Sequence, residues 1–430
     1  MKIDSIDNKS NAFNEAVDMD KTDQLNKYQD LFNFPQKKSN DNLIYFSGNS
    51  LGLQPKNASK YVNDELDNWK NFAVEGHIKS NRPWLNYHEL LTSYSAKLVG
   101  ALDDEVVVMN SLTVNLHLLM VSFYRPKGKR KKILIENNAF PSDIYAIQSQ
   151  LKFHGNDPNN DLIIITPEEG DFISNQLISE YLEKFGDEIS LVLLGGVNYY
   201  TGQAFDIYRI TDLAQNCGCR VGFDLAHAAG NIKLNLHDWG VDFASWCGYK
   251  YLNGGPGAPS GIFIHERHLN KNYHPRFEGW WGHDKITRFK MPDSFVPLKT
   301  AEAWQLSNPP IFSMASLLSS LEIFNKVGME KLIEKSQKLT EYIIDLISND
   351  LYEKVKIITP LSKESRGCQL SLRIQQLDEK LIQLLHKNGI ICDFRYPDVI
   401  RIAPVPLYNS FKDCYMFYYI FKQIINNVEQ

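Results

Sequence analysis

The sequence has few cysteines and no long hydrophobic run. Six cysteines occur in 430 residues and none is in a CxxC pair, so we expect reduced, mostly buried thiols rather than a disulfide framework. Cys217 and Cys219 resemble half of a metal site, but no second cluster has ligand spacing, so no metal is predicted. No apolar run approaches the ~20 residues that a helix needs to span a bilayer.

An excess of basic charge is also absent. The chain has 46 Lys and Arg against 51 Asp and Glu, a formal net charge of -5, so we expect no nucleic acid and no membrane partner. The first thirty residues mix acidic and basic side chains without an apolar core, which fits neither a signal peptide nor a mitochondrial presequence. These absences predict a cytoplasmic protein that acts on a small molecule.

Hydrophobic residues make up 43% of the chain, and its length suffices for two domains. In the middle of the chain, continuous apolar runs alternate with helical stretches, which is typical of a mostly parallel sheet covered by helices on both faces. The fold class is therefore a doubly wound α/β domain. The predicted strands are Lys132–Glu136, Leu162–Thr166, Ile189–Leu194, Arg220–Asp224, Phe243–Gly248 and Gly261–His265.

The sequence pattern changes at Pro309 and Pro310. We expect a polar, loosely held arm over residues 1–45 that packs with the small domain, a large α/β domain over 46–308 and a smaller α+β domain over 309–430. The predicted helices lie within residues 11–33 and over 57–72, 314–327, 328–347 and 378–387. The tail is predicted to be βαβ-like, with strands at 368–374 and 399–403.

The segment from Val221 to Lys250 is the most informative. Asp224 follows an apolar strand, where open α/β sheets bind ligands, although helix capping is an alternative. Lys250 follows Trp-Cys-Gly-Tyr, an apolar setting in which an unpaired ammonium is costly. Pyridoxal phosphate requires such a pair: the lysine forms a Schiff base, and the aspartate keeps the ring nitrogen protonated. The segment therefore predicts a pyridoxal phosphate enzyme.

Neighbouring residues extend this predicted site. His227 would contact the cofactor or simply pack in the core. Tyr249 would bind the cofactor or relay a proton, with a plain core tyrosine as the alternative. The glycines after Asn253 lack a GxGxxG or Lys-Ser/Thr pattern, so we interpret them as a tight turn close to the lysine.

Two polar segments are expected to complete the cofactor site. Residues 110–117 begin polar and continue as a helix, so that free N–H groups and the Thr113 hydroxyl favour an anion, although capping explains this residue nearly as well. Phe140 would stack on the cofactor ring, while Ser142 and Asp143 would contact its substituents or serve as helix caps.

Arg401 lies in an apolar strand, where an unpaired guanidinium would be costly. It must meet a carboxylate, either from a protein acid or from an amino-acid substrate. The second interpretation suits an enzyme that acts on amino acids.

Ten motifs follow one another over residues 45–415. They are SGNSLG (47–52), His77 with RPW (82–84), LTVNLH (112–117), FPSD (140–143), YTGQ (200–203), FDLAH (223–227), YKYLN (249–253), GW (279–280), SNPP (307–310) and IAPVPLY (402–408). Together they closely resemble the kynureninase family, whose members belong to the class-V aminotransferase-like superfamily.

The resemblance implies a fold-type-I pyridoxal phosphate homodimer with active sites at the subunit interface. Its members hydrolyse kynurenine or 3-hydroxykynurenine to alanine plus anthranilate or 3-hydroxyanthranilate, in tryptophan catabolism and NAD biosynthesis. By resemblance, the catalytic residues are Lys250, Tyr249 and Asp224. The cofactor-binding residues are Leu112, Thr113, Phe140, Pro141, Ser142, Asp143, Asp224, His227, Tyr249 and Lys250, with Trp280 and Asn308 from the neighbouring subunit. The substrate-binding residues are His77, Ser307, Asn308 and Arg401, a set that resembles sites favouring the 3-hydroxy substrate.

One position departs from the family pattern. Gly195 stands where members often carry serine, so a hydroxyl contact is missing and cofactor affinity is expected to change slightly.

A desulfurase or aminotransferase of the same fold is one rival interpretation, but a desulfurase needs a reactive cysteine on a mobile loop, whereas Cys368 opens an apolar strand. A catalytically silent paralogue is another rival, yet it would be expected to lose Lys250 or Asp224 first.

Overall fold

A computed structural model describes residues 10–36, 42–167, 169–269, 274–374 and 379–428. Its helices are α1 (Asn11–Thr22), α2 (Ala58–Phe72), α3 (Gly76–Lys79), α4 (Glu89–Val99), α5 (Leu112–Phe123), α6 (Pro141–Phe153), α7 (Pro158–Asp161), α8 (Asn175–Phe185), α9 (Ile207–Asn216), α10 (Ile311–Val327), α11 (Met329–Asp350), α12 (Glu379–Lys387) and α13 (Phe411–Val428). None of the helices in these ranges has the length and apolar character needed to cross a membrane.

The strands are short and mostly buried. They are β1 (Phe32–Asn33), β2 (Ile44–Tyr45), β3 (Gln54–Pro55), β4 (Val106–Met109), β5 (Lys132–Glu136), β6 (Leu162–Ile165), β7 (Ile189–Gly195), β8 (Arg220–Asp224), β9 (Phe243–Trp246), β10 (Ser260–Ile264), β11 (Val355–Ile357), β12 (Leu370–Ile374), β13 (Ile390–Ile391), β14 (Asp393–Arg395) and β15 (Val399–Ile402). The six predicted strands of the large domain are confirmed within two residues at each end. Strand β4, the apolar run VVVM, was not among the predicted strands.

The central sheet has seven strands in the order β4-β10-β9-β8-β7-β5-β6. Strands β5 to β9 are parallel, and β10 runs antiparallel to both β4 and β9. The prediction of a mostly parallel sheet is therefore confirmed. Its parallel strands end on one edge, where β5 finishes at Glu136 and Gly195 of β7 pairs with Asp224 of β8. This edge positions the candidate site.

The C-terminal part contains a four-stranded sheet in the order β11-β12-β15-β14 and has its own apolar core with α11, α12 and α13. The predicted βαβ arrangement is wrong, because β12 and β15 are antiparallel neighbours. Strand β13, which follows α12, instead pairs in parallel with β2 near the N-terminus. Residue 378, the predicted start of α12, lies outside the described residues.

The N-terminal arm is not loosely held within residues 10–36. The Asp20 carboxylate accepts hydrogen bonds from the backbone N–H of Phe411 at 2.7 Å and of Lys412 at 3.0 Å, the first two residues of α13. Asp23 forms a buried ion pair with Lys335 of α11 at 2.7 Å. The arm is therefore tied to two C-terminal helices, while the domain boundaries at 45 and 308 stay a prediction.

We predict that Asp20→Ala lowers the free energy of unfolding by about 1–2 kcal/mol, because it removes the acceptor for two N–H groups at the start of α13. Denaturant unfolding followed by circular dichroism measures the change. Asp18→Ala is the matched control, since Asp18 is exposed and pairs only with the nearby Lys21. Equal midpoints for the two variants would show that Asp20 does not act as a cap.

Candidate active site

A cavity of about 160 Å³ lies at the carboxyl edge of the parallel strands. Strand ends, the first turns of α5 and α6 and the segment after β9 meet there. Its lining includes nine residues predicted from the sequence: Leu112, Thr113, Phe140, Ser142, Asp143, Asp224, His227, Tyr249 and Lys250. The other lining residues are Ser111, Glu136, Gly195, Val197, Tyr199 and Ala226. Residues from Ser111 to Lys250, distant in the sequence, thus share one small space.

Lys250 lies directly against His227. The lysine Nζ is 3.0 Å from the histidine Nε2. Burial, and then the positive charge of Lys250, hold the pKa of His227 well below its usual value, so the ring is neutral. The lysine therefore donates to a neutral imidazole, and the other ring nitrogen, Nδ1, is buried without a hydrogen-bond partner. This free nitrogen points to a ligand contact.

Acidic side chains lie beside the amine. Asp224 Oδ1 accepts a hydrogen bond from the backbone N–H of Ala226 at 2.7 Å, a local contact that orients the carboxylate. Asp143 is buried and its Oδ1 has no partner. Burial, followed by the negative charge of Asp224, raises the pKa of Asp143 well above its usual value. Such a pair favours a ligand that brings a positive charge or an N–H donor.

The first turns of α5 and α6 meet at the cavity. Thr113 Oγ1 and Ser142 Oγ are 2.8 Å apart. Ser111 precedes α5 but its side chain caps no N–H group, and α6 begins with Pro141, which has none to offer. Two helix dipoles and two hydroxyl groups therefore point to one place, an arrangement that favours a phosphate.

Phe140 borders the cavity with an open face. Its side chain is 42% exposed, and Lys250 Nζ lies 5.8 Å from the ring centroid. The Tyr199 ring meets it edge-on with centroids 5.3 Å apart. Phe140 can therefore stack on a flat ring that reaches Lys250.

These features fit pyridoxal phosphate. The helix ends suit its phosphate, the Phe140 face suits its ring, and Lys250 suits its aldehyde. The unpartnered atoms Asp143 Oδ1 and His227 Nδ1 are the polar contacts that a ring with a nitrogen and a hydroxyl substituent would complete.

Arg401 is paired with a protein acid. Its Nε donates to Asp393 Oδ1 at 2.7 Å, its Nη2 contacts Asp393 Oδ2 and Ser50, and its Nη1 donates to the Tyr199 carbonyl at 2.7 Å. Burial would raise the pKa of Asp393, but the hydrogen bond and charge of Arg401 lower it below the usual value. The guanidinium lies directly behind Tyr199, which lines the cavity. Binding of a substrate carboxylate by Arg401 stays a prediction.

Pro141, the first residue of α6, is not among the lining residues, and four further predicted residues do not line the cavity of their own chain either. His77 contacts the Val74 carbonyl at 3.0 Å and packs edge-on against Trp84. Trp280 is 43% exposed and donates through Nε1 to the Arg288 carbonyl. Ser307 and Asn308 are both exposed. A role for these four residues requires a second subunit or a movement of the chain.

Sequence reasoning missed Glu136 and Tyr199. Glu136 ends the run Ile-Leu-Ile-Glu, the same pattern of an acid after an apolar strand that identified Asp224. That signal was therefore available. Tyr199 lies in a loop after β7, where no periodicity marks which of two adjacent tyrosines faces the cavity.

The chain is similar to known proteins over most of its length. Residues 332–421 match the kynureninase C-terminal domain family. The chain is 54% identical to a kynureninase from Myxococcus xanthus over 403 residues, which cover 94% of this chain and 95% of the relative. It is 51% identical to a kynureninase from Flavobacterium psychrophilum over 418 residues, which cover 96% and 98%.

Solved structures share the fold at low identity. A cysteine desulfurase from Thermococcus onnurineus superimposes with a TM-score of 0.73 and 16% identity, covering 89% of this chain and 95% of that chain. The desulfurase CsdA from Escherichia coli gives a TM-score of 0.76 at 14% identity, covering 94% and 98%. The predicted fold-type-I α/β class is therefore confirmed.

We predict that Ser142→Ala weakens pyridoxal phosphate binding about tenfold, because it removes a hydroxyl group that would donate to the cofactor phosphate. Hydrogen bonds to charged groups contribute about 1.5–3 kcal/mol. Fluorescence titration of the apoprotein measures the dissociation constant. Ser149→Ala is the control, since Ser149 lies on the same helix and bonds only the Ala146 carbonyl. Equal affinity in both variants would mean that Ser142 does not contact the cofactor.

Proposed function

The chain belongs to the kynureninase family, and we propose that it hydrolyses kynurenine and, preferentially, 3-hydroxykynurenine. The products are alanine and anthranilate or 3-hydroxyanthranilate, in tryptophan catabolism and NAD biosynthesis. The enzyme is a pyridoxal phosphate-dependent hydrolase of carbon–carbon bonds. The observation that carries the substrate proposal is the 54% identity to a kynureninase over 94% of this chain. Lys250 against neutral His227, in a cavity that also holds Asp143 and Asp224, supports the cofactor chemistry.

Each group of cavity residues has a binding role in this proposal. Lys250 would supply the amine for the cofactor aldehyde, and Asp224, oriented by the Ala226 N–H, would pair with the ring nitrogen. His227 and Phe140 would hold the ring, while Leu112, Thr113 and the start of α6 would hold the phosphate. When bound, pyridoxal phosphate supplies an electrophilic carbon for the substrate amine and a protonated ring that accepts electrons from the substrate.

The chain itself handles the protons. Lys250, once its amine is free, takes the proton from the substrate α-carbon, because a deprotonated amine next to neutral His227 is a base. Burial raises the pKa of Tyr249 above its usual range, and Cys247 adds to the rise. The phenol therefore stays protonated at neutral pH, and Tyr249 can donate a hydrogen bond into the site.

The reaction balances with water alone. The Cβ–Cγ bond breaks, the hydroxyl group of water goes to the γ-carbonyl carbon, and a proton goes to Cβ. One product is an aromatic acid and the other is alanine, so no oxidant or reductant is required.

Substrate recognition is assigned to residues outside the cavity lining. Arg401 would take the α-carboxylate by exchanging part of its contact with Asp393, and His77, Ser307 and Asn308 would contact the aromatic ring. We propose a homodimer in which Trp280 and Asn308 reach the cofactor of the partner, which accounts for their exposure in a single chain.

A desulfurase function is not supported by the cysteines of the described residues. Cys368 is 1% exposed just before β12, and burial raises its pKa to about 12. A thiol of this kind is not ionised at neutral pH and does not act as a nucleophile. The similarity to desulfurase structures therefore concerns the fold.

We predict that the purified protein with pyridoxal phosphate releases alanine from 3-hydroxykynurenine, with a higher kcat/KM than for kynurenine. Lys250→Ala is expected to lose at least 1,000-fold in activity because it removes both the cofactor amine and the base. An amino-acid assay for alanine measures both. Absence of alanine with either substrate would refute the activity, and a higher kcat/KM for kynurenine would refute only the preference.

Shared active sites predict complementation between subunits. Mixed dimers of Lys250→Ala and Asn308→Ala chains contain one site with both defects and one intact site, if Asn308 serves the partner. Activity in mixed dimers should approach half that of the wild type, although each variant alone is nearly inactive. Purification through two different affinity tags isolates these dimers. No recovery of activity would place both residues in the same site or exclude the dimer.

A further inference from the structure

Glu136 is an acid of the cavity to which the reaction described above gives no task. It ends β5, is 4% exposed and lines the space together with Asp143 and Asp224. Both of its carboxyl oxygens accept the backbone N–H of Gly195, at 3.1 and 3.2 Å. No Lys, Arg or His within the described residues forms an ion pair with it at 4.0 Å or less. A buried carboxyl group without a cation partner is costly when ionised, so we expect it either to be protonated or to serve a function.

Gly195 makes room for this carboxyl group. A Cβ atom at position 195 would lie 2.9 Å from Glu136 Oε1, closer than van der Waals contact allows. Gly195 is also the residue that pairs with Asp224 across β7 and β8. A side chain at position 195 would therefore push the Glu136 carboxyl group from its present place beside the strand that carries the proposed partner of the ring nitrogen.

The charges around Glu136 decide its protonation. Asp224 on β8 and Asp143 on α6 are acids, Lys250 after β9 is the cation, and His227 is neutral. Three ionised carboxylates beside one ammonium would repel each other in a space that water screens poorly. Burial, opposed only in part by the Gly195 N–H, raises the pKa of Glu136 to about 7, and the charge of Asp224 adds to the rise.

We propose that Glu136 is a positioning residue of the cofactor site that works as a neutral acid, so that the negative charge beside the ring nitrogen stays on Asp224. The inference rests on the proposed cofactor site but not on the substrate. A protonated Glu136 also occupies the space beside Gly195. In this form it does not compete with Asp224 for the ring nitrogen. The pair Glu136 and Gly195 thus sets how much negative charge the cofactor meets.

The test is the visible absorbance of bound pyridoxal phosphate as a function of pH, in the holoenzyme without substrate. In the wild type, ionisation of Glu136 should add a step in the neutral range, since the new charge favours the protonated form of the chromophore. Glu136→Gln keeps the shape of the neutral acid but cannot ionise. We expect it to bind the cofactor, lose the neutral step and move the remaining transition to lower pH.

Glu105→Gln is the matched control, because Glu105 is equally buried but precedes β4 at the opposite edge of the sheet. It should titrate like the wild type. Glu136→Asp is the second variant: its shorter acid withdraws from the Gly195 N–H, so it should bind the cofactor more weakly than Glu136→Gln.

Four outcomes would overturn the proposal. The first is a pH titration of absorbance that has the same shape in the wild type and in Glu136→Gln, and the second is a Glu105→Gln variant that changes this titration as much as Glu136→Gln does. The third is tighter cofactor binding by Glu136→Asp than by Glu136→Gln. The fourth is a Glu136→Gln chain that does not fold although Glu105→Gln does. None of these readings depends on cleavage of kynurenine, so failure of the proposed activity would be recognised separately.

Discussion

The contact between the Lys250 amine and the neutral ring of His227 is the interaction on which the site depends. It holds a basic group in a half-buried space that an ammonium would otherwise avoid. Every other feature of the cavity follows from that placement. The acids at the strand ends balance the charge, the two helix ends receive an anion, and Phe140 leaves a flat face open between them.

The parallel sheet makes this placement possible. Strands β5, β7 and β8 end side by side, so that one acid, one glycine and a second acid lie in a row at the edge of the sheet. The row brings two acids together, and the lysine approaches it from the segment after β9. Electrostatics at this edge, rather than the shape of a deep pocket, therefore selects a ligand with a positively charged ring and an anionic tail.

Much of this arrangement was predictable from the sequence. The acid at the end of an apolar strand and the lysine in an apolar setting identified Asp224 and Lys250, and the six apolar runs identified the strands. Three features were not recovered. The antiparallel pairing of β12 with β15 and the parallel pairing of β13 with the distant β2 are long-range choices that local pattern does not encode. The docking of the arm depends on Asp20 meeting α13. Tyr199 faces the cavity because of loop geometry. Glu136, by contrast, ends an apolar strand as Asp224 does, so the sequence alone could have predicted it.

The central claim is that Lys250 is the residue that holds pyridoxal phosphate. Borohydride reduction of the cofactor-loaded protein, followed by proteolysis and mass spectrometry, locates the modified lysine directly. The account predicts a phosphopyridoxyl group on the peptide that contains Lys250, at a stoichiometry near one per chain. A label on a different lysine, or no label in protein that retains the cofactor, would contradict it.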